Sequence, residues 1–591
     1  MKDHNSNSQK STTYKEIMTP ETSLRTSPVF YNRYLLCIAG LGGLLYGIDV
    51  GISSAALLYL SKTVDLTVSQ TSIIVAAVFG GSTISSLIAG FFADWVGRKK
   101  MVVFSGMLFV LSVAIIVLSH GFVPLLIGRL LQGLSGGVIA VVVPLYLAEC
   151  LSAGSRGKGS GIFQFMLTFG IVAASLTGLY YIHQAEAAIT AAGGNVALIR
   201  AAQDHAWRSM FLAVIYPGMA FFLGAFFLSE TPRWLFRKGR IDEASAVLRR
   251  AVSEEEADRE MREMQELAVE DKHHAEAASG SLLQRKYVYP FLLACVVLTL
   301  NQTTGINSVL GYLLVILKQA GMSATHAAQG DLAVKLLNCL MTIVGVALVD
   351  RKGRKFLLSL GTGGIVVAVL GVAFFFYAFE SHRIDISSQV NAHIQGNTLS
   401  LSGGDIKSWS QQASPDGSGA MGMTILYSYG GGDKLATLVS SDPVPLTIAP
   451  ESDSLTKPLK INRAFLSRVP TERTGWFVTL FLALFIASYS AGPGVVVWLA
   501  LSELMPTRIR SAGMGIALLL NQGMSTLIAG VFLPAVSNYG YFSMFLFWGV
   551  FTSLYFCVAV FFLPETKGKT LEEIERSFDP AHKQSSIEPA R

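Results

Sequence analysis

ADWVGRKK at residues 93–100 and LVDRKGRK at residues 348–355 say nearly the same thing. Asp94, Gly97, Arg98 and Lys99 in the first are matched by Asp350, Gly353, Arg354 and Lys355 in the second, and an apolar run precedes each. Outward from these stretches the doubling continues. Glu149 precedes Arg156 by the same interval that separates Glu503 from Arg510, and SETPRWL from Ser229 has a counterpart in PETKGKT from Pro564. The chain is therefore an internal duplication with charged punctuation at equivalent places.

Between the punctuation marks the chain is written for lipid. Of 591 residues, 51% are hydrophobic and only 15% charged, with a mean hydropathy of +0.48; a soluble chain carries about a quarter charged residues. Apolar runs fall near 34–58, 72–93, 101–119, 123–148, 160–182, 209–228, 288–317, 332–349, 356–379, 475–502, 511–535 and 541–563. Each approaches the roughly 20 residues that a helix needs to cross a bilayer. The expected fold is an all-α membrane protein with twelve transmembrane helices in two six-helix bundles.

Basic residues gather in alternate short loops: Arg98, Lys99 and Lys100; Arg156 and Lys158; Arg351, Lys352, Arg354 and Lys355; Arg508 and Arg510. The positive-inside rule places these loops, and both termini, in the cytoplasm. The net charge of +6 is thus topogenic and no nucleic-acid footprint. The expected domains are a disordered cytoplasmic N-tail (1–30), an N-terminal bundle (31–228), a cytoplasmic helical linker (229–287), a C-terminal bundle (288–563) and a cytoplasmic C-tail (564–591). The N-tail lacks an apolar core before a cleavage site, so it does not read as a signal peptide. In the linker, Asp242–Arg250 and Glu254–Glu270 read as amphipathic surface helices; in the C-tail, Thr570 is a candidate helix cap.

The interval from Asp350 to Glu503 is far longer than that from Asp94 to Glu149. The excess marks a polar extracytoplasmic insertion at 380–474, and a smaller excess in the first half points to the Ala-rich segment 184–206. Five cysteines, all in or at the ends of apolar runs, read as packing residues. No metal-ligand cluster, Walker loop or nucleophile–base set is present, so the expectation is no cofactor, no metal and no enzyme activity, with an ion gradient as the energy source.

Asp49 lies inside the first apolar run and Arg129 inside the fourth. A charge at that depth costs several kcal/mol and normally faces a partner or a cavity. The two are candidates to neutralise each other, with the proton on Asp49 deciding the pairing; alternatively Arg129 snorkels and Asp49 lies near water. Gln164, Asn301, Gln302, Asn307, Asn338, Asn521 and Gln522 interrupt other spans. Amides suit a polyol because each both donates and accepts, and Trp498 offers an aromatic face for a sugar ring. Interhelical hydrogen bonding is the plainer alternative. GPG at 492–494 predicts a bend just before Trp498.

At the loops, carboxylates and guanidiniums can pair across neighbouring helices. This reading makes a cytoplasmic gate of Asp94, Arg98, Glu149, Arg156, Glu230, Arg233, Asp350, Arg354, Glu503 and Arg510. Ordinary topogenic charge is the alternative, although it would need no acidic partners.

Taken in order, GRKK at 97–100, GRLLQG at 128–133, PLYLAE at 144–149 with Arg156-Gly157, SETPRWL at 229–235, DRKGRK at 350–355 and PETKGKT at 564–570 resemble the sugar porter family of the major facilitator superfamily. The resemblance covers roughly residues 31–575 apart from the insertions. It implies two bundles around a central cavity that opens alternately to each side. By resemblance the sugar contacts fall on Gln164, Gln302, Asn307, Asn338, Trp498 and Asn521, and Tyr46 is the aromatic preceding the coupling carboxylate. This chain has Asn301-Gln302 where the family has paired glutamines, Gly311-Tyr312 where it has an aromatic pair, and Ser490 where animal glucose facilitators carry an acid. The family's proton symporters have a carboxylate at the position of Asp49, paired with the arginine at Arg129; passive facilitators have a neutral side chain.

The expected function is proton-coupled symport of a monosaccharide or cyclitol, myo-inositol ahead of glucose, galactose or xylose. The long insertion resembles in position that of proton/myo-inositol symporters, although it has no cysteine. A uniporter and a non-transporting sugar sensor are the alternatives. The expected partners are a small sugar or polyol, protons and the bilayer, with no nucleic acid. The protein is expected to work as a monomer, multi-pass in the cell membrane.

Overall fold

The computed structural model describes residues 28–151, 153–277, 285–413, 420–440, 445–450, 457–505, 509–569, 573–574 and 578. The expected disordered tail, apart from its last residues, and the candidate cap Thr570 lie outside the described residues. Among the described residues, eleven helices are long and apolar enough to span a membrane. We number them span 1 (Phe30–Thr63), span 2 (Val68–Val96), span 3 (Arg98–Val117), span 4 (Phe122–Cys150), span 5 (Gly161–Ala191), span 6 (Val196–Ala225), span 7 (Tyr287–Gln319), span 8 (Ala324–Val349), span 9 (Arg354–Glu380) and span 10 (Glu472–Leu504). The last, Gly513–Phe562, is two helices joined at Gly540, whose φ of 84° and ψ of 167° break the helix. Its arms are spans 11 and 12, and Glu380 caps the second by accepting from the amides of Tyr541 and Phe542 at 2.8 and 3.0 Å.

Small residues let these helices approach. A Cβ at Gly43, Gly47 or Gly51 would lie 2.4, 1.9 or 2.8 Å from span 5, so one glycine face of span 1 lies directly on span 5. Large apolar side chains such as Phe91 and Phe227 point outward, 71% and 79% exposed. An apolar exterior of this kind suits lipid as the solvent.

Two expected boundaries move. Span 8 begins at Ala324, a full two turns before the expected 332. The Ala-rich segment 184–206, expected as an insertion, is mostly helix that extends spans 5 and 6. Alanine is the best helix former, and Asn195 restarts the chain by accepting from the amides of Ala197 and Leu198. After span 6, the helices Ile241–Ala251 and Glu254–Ala277 form the linker, the first burying Ala244, Val247 and Leu248.

The insertion is a folded unit with its own core. Its strands are β1 (Ile384–Asp385), β2 (Ile394–Gln395), β3 (Thr398–Leu401), β4 (Met421–Ser428), β5 (Lys434–Val439), β6 (Leu446–Ile448) and β7 (Lys460–Arg468). They make two antiparallel sheets ordered β1-β7-β4-β5 and β2-β3-β6. Alternate side chains such as Met423 and Ile425 of β4 face inward with Leu399, Leu438 and Leu466. The all-α expectation thus holds for the membrane part, and the described strands belong to the insertion. The unit docks through Lys434 on Asp65 at 2.5 Å and through Arg463 on the Asn538 carbonyl at 2.7 Å. It therefore touches both halves, on the side we call the insertion face; the basic loops form the opposite face.

Candidate functional site

Asp49 and Arg129 meet inside the N-terminal bundle. Arg129 Nη1 lies 3.3 Å from Asp49 Oδ1, and the side chains are only 3% and 2% exposed. The same guanidinium donates to Gln132 Oε1 at 2.6 Å and to Ser53 Oγ at 2.5 Å, and it stands over the Phe211 ring at 5.6 Å. Span 1 therefore supplies the carboxylate and Ser53, and span 4 supplies the arginine and Gln132. Gly136 leaves room for Tyr46 and Asp49, which a Cβ there would meet at 3.2 and 3.6 Å.

Span 7 supplies most of the amides because it is broken. Gly305 has φ +84°, and a Cβ there would lie 2.4 Å from the Trp548 ring, so a non-glycine residue is opposed by both backbone strain and packing. The break turns Gln302 and Asn307 toward one another: Asn307 Nδ2 donates to Gln302 Oε1 at 3.0 Å and to Ser525 Oγ at 2.8 Å. Gln302 in turn donates to Asn521 Oδ1 at 3.0 Å, and Asn521 to the Leu298 carbonyl at 3.0 Å. Asn301 donates to the Tyr489 hydroxyl at 3.2 Å, while Ser490 donates to Asn338 at 2.6 Å. Gln522 reaches across to Ser82 of span 2 at 3.3 Å. Spans 7, 8, 10 and 11 thereby converge in one amide-rich cluster. A discontinuous helix with exposed backbone is a recurrent way to build a site at membrane depth.

The remaining expected positions differ in setting. Gln164 is half-buried. Tyr312 is fully buried, stacks on Phe532 at 4.6 Å and donates to the Ala529 carbonyl. Trp498 is 48% exposed, although the expected bend before it is present as a break at Gly492.

At the basic face the two halves repeat one construction. Arg98 bonds Asp94 at 2.6 Å and Glu149 at 2.9 Å; Arg354 bonds Glu503 at 3.1 Å. Glu230 accepts from the amides of Arg98 and Lys99 at 2.9 and 3.1 Å. Glu565 does the same for Arg354 and Lys355 at 3.0 and 3.1 Å. Thr231 donates to Glu149 at 2.5 Å, and Thr566 to Glu503 at 2.6 Å. Carboxylates at helix N-termini satisfy orphan amides and oppose the helix dipole. All of these pairs lie within one half or the other. Arg233 is exposed, and the side chains of Arg156, Asp350 and Arg510 lie outside what the structure describes.

Sequence reasoning missed Arg237, which sits 3.1 Å from Asp94 and 3.5 Å from Glu149, as well as Thr231, Thr566 and Tyr489. The threonines were findable, since each follows the acid in the repeated E-T of SETPRWL and PETKGKT. The largest omission is Asp331 with Lys335, an ion pair buried in span 8.

Comparison with known proteins fits this architecture. A family described as "Sugar (and other) transporter" matches residues 35–394 and 463–578, leaving out most of the insertion. The chain is 30% identical to "Probable inositol transporter 2" of Arabidopsis thaliana, with 93% of this chain and 92% of the relative covered. It is 28% identical to "Glucose transporter GlcP" of Staphylococcus epidermidis, with 92% and 97% covered. Its fold is similar to that of the xylose transporter XylE from E. coli, with a TM-score of 0.64 at 20% identity over 92% of this chain and 100% of that one. The chain belongs to the sugar (and other) transporter family, the sugar porters of the major facilitator superfamily, and is a multi-pass membrane transporter.

Proposed function

We propose that this transporter carries a neutral polyhydroxylated ring together with a proton, by opening alternately to the two faces, with the basic face cytoplasmic. The observation that carries the reading is the buried Asp49–Arg129 pair, 3.3 Å apart. A carboxylate that deep is neutralised either by its arginine or by a proton. Protonation of Asp49 releases Arg129 onto Gln132 and Ser53, which already hold it. The bundle can then rearrange without a stranded negative charge, and the proton leaves with the cargo on the far side.

The cargo site suits hydroxyls. Gln302, Asn307, Asn338 and Asn521 present both donors and acceptors. Asn301 Oδ1 and Gln132 Nε2 are buried atoms with no hydrogen-bond partner, so each has capacity for a ligand hydroxyl or a water. In this reading the loop pairs around Arg98 and Arg354 brace the cytoplasmic ends of each half as the gate opens and closes. Myo-inositol stands first among candidate cargoes, because a relative named for inositol is 30% identical over nearly the whole chain; glucose, galactose and xylose follow.

Uptake of labelled myo-inositol, glucose, galactose and xylose into proteoliposomes, with and without an inward proton gradient, tests this reading. Gradient-driven accumulation of one of them supports symport and names the cargo. Gradient-independent equilibration makes the protein a uniporter, and binding without flux makes it a sensor.

A further inference from the structure

Span 8 carries a second pair of charges at membrane depth. Asp331 Oδ1 and Lys335 Nζ are 2.9 Å apart, one helical turn from each other, and the side chains are 1% and 0% exposed. Both belong to the C-terminal bundle, but their further hydrogen bonds cross to the N-terminal bundle. Lys335 Nζ donates to the Gly51 carbonyl at 3.1 Å and to Ser54 Oγ at 2.8 Å. Asp331 accepts from Ser54 at 3.3 Å and from Ser175 at 2.7 Å. Spans 1 and 5 come close enough to share the pair because position 51 is glycine; a Cβ there would lie 2.8 Å from Ala174, the neighbour of Ser175.

The pair's place in the molecule is informative. Lys335 lies one turn from Asn338 toward the insertion face, and Gly51 lies two residues beyond Asp49 in the same direction. Ser72 adds to the closure on that side by donating to the Ala529 carbonyl at 2.8 Å and lying 3.3 Å from the Tyr312 hydroxyl.

We propose that Asp331 and Lys335 form an inter-bundle latch that holds the insertion face shut over the substrate site, with span 8 bringing both charges and spans 1 and 5 bringing only neutral partners. The proposal rests on the alternating-access reading, but not on any particular cargo or on proton coupling. Its physical logic lies in the asymmetry. An ion pair split between the bundles would strand one buried charge on each side as they part. A pair on a single helix departs as a neutral unit, and only the hydrogen bonds to Gly51, Ser54 and Ser175 are exchanged for water. Such a latch is selective for the closed state and still reversible. Its contact with the backbone two residues from Asp49 also ties it to the segment that carries the coupling carboxylate.

The test is a distance measurement between spin labels at Ala188 on span 5 and Gln329 on span 8, in a background without the exposed Cys37 and Cys557. The full chain is held in lipid nanodiscs, with no substrate and no gradient. Two variants are compared with the parent: Ser54→Ala with Ser175→Ala, which leaves the ion pair intact, and Asp331→Leu with Lys335→Met, which removes it without leaving a lone charge. The latch predicts a longer-distance population in both, enriched about tenfold over the parent. An unchanged distribution in the serine variant overturns the proposal and leaves the pair a within-helix structural feature. That result decides the question even if the charge-free variant fails to elute as a folded monodisperse species. If that variant folds, an unchanged distribution in it overturns the proposal as well. Because no transport is measured, a wrong cargo or absent proton coupling leaves this outcome untouched.

Discussion

Arg129 lies 3.3 Å from Asp49, yet it sits nearer to two neutral partners, Gln132 at 2.6 Å and Ser53 at 2.5 Å. The arginine is held in place whether or not the carboxylate is charged. Asp49 has the weaker position, since its neutralisation depends on Arg129 or on a proton. Asp49→Asn is therefore expected to fold with stability within about 1 kcal/mol of the parent. Arg129→Met, which strands a buried carboxylate, is expected to lose about 3–5 kcal/mol. Thermal unfolding of the two purified variants checks the order; equal stability of both would contradict this asymmetry.

Gly305 sets the break in span 7. Alanine there adds about 1–3 kcal/mol of backbone strain and drives a methyl group into Trp548, which stacks on Phe532 at 5.6 Å, itself stacked on Tyr312. Gly305→Ala is expected to reduce folded yield sharply, and any recovered protein is expected to bind cargo weakly. Gly311→Ala, whose Cβ would meet only Val75 at an ordinary 3.6 Å, is the tolerated control. Size-exclusion profiles of the two variants read the difference directly.

Glu230 and Glu565 cap equivalent helices in the two halves. Each alanine replacement is expected to cost about 1 kcal/mol. The two caps share no partners, so the double variant should show the sum to within about 0.5 kcal/mol. Unfolding measurements on the two single variants and the double variant test both the magnitude and the independence. A strongly non-additive result would mean that the two basic-face clusters are physically linked.

The sequence was most legible where charge interrupts apolar runs. The repeated D-x-x-G-R-K stretches and the two E-T elements locate both basic-face clusters, and the amides of spans 7, 8 and 11 locate the polar cluster. Pairing within these groups was harder to read. Glu149 meets Arg98 from a different helix, a contact that depends on packing and not on spacing along the chain. Asp331 and Lys335 escaped because the eighth apolar run was started at 332, which left Asp331 in a loop and Lys335 at a helix end. Charges dilute local hydropathy, so a buried ion pair near a helix start hides the turn that contains it. The insertion was legible as an insertion but not as a β fold: β1 and β2 are two residues each, too short for alternation to register, whereas β4 and β7 are eight and nine residues long and their alternation went unread. Trp498 carries the residue type expected of a sugar platform, while its 48% exposure sets it apart from the buried amides.

The most direct test of the central claim compares the parent with Asp49→Asn in proteoliposomes, using the cargo identified by the uptake panel. Two fluxes are measured: accumulation driven by an inward proton gradient, and counterflow exchange without a gradient. If Asp49 carries the coupled proton, the variant loses gradient-driven accumulation and retains exchange, because its neutral side chain mimics the protonated state. Accumulation preserved in the variant, or gradient-independent transport by the parent, would contradict the account.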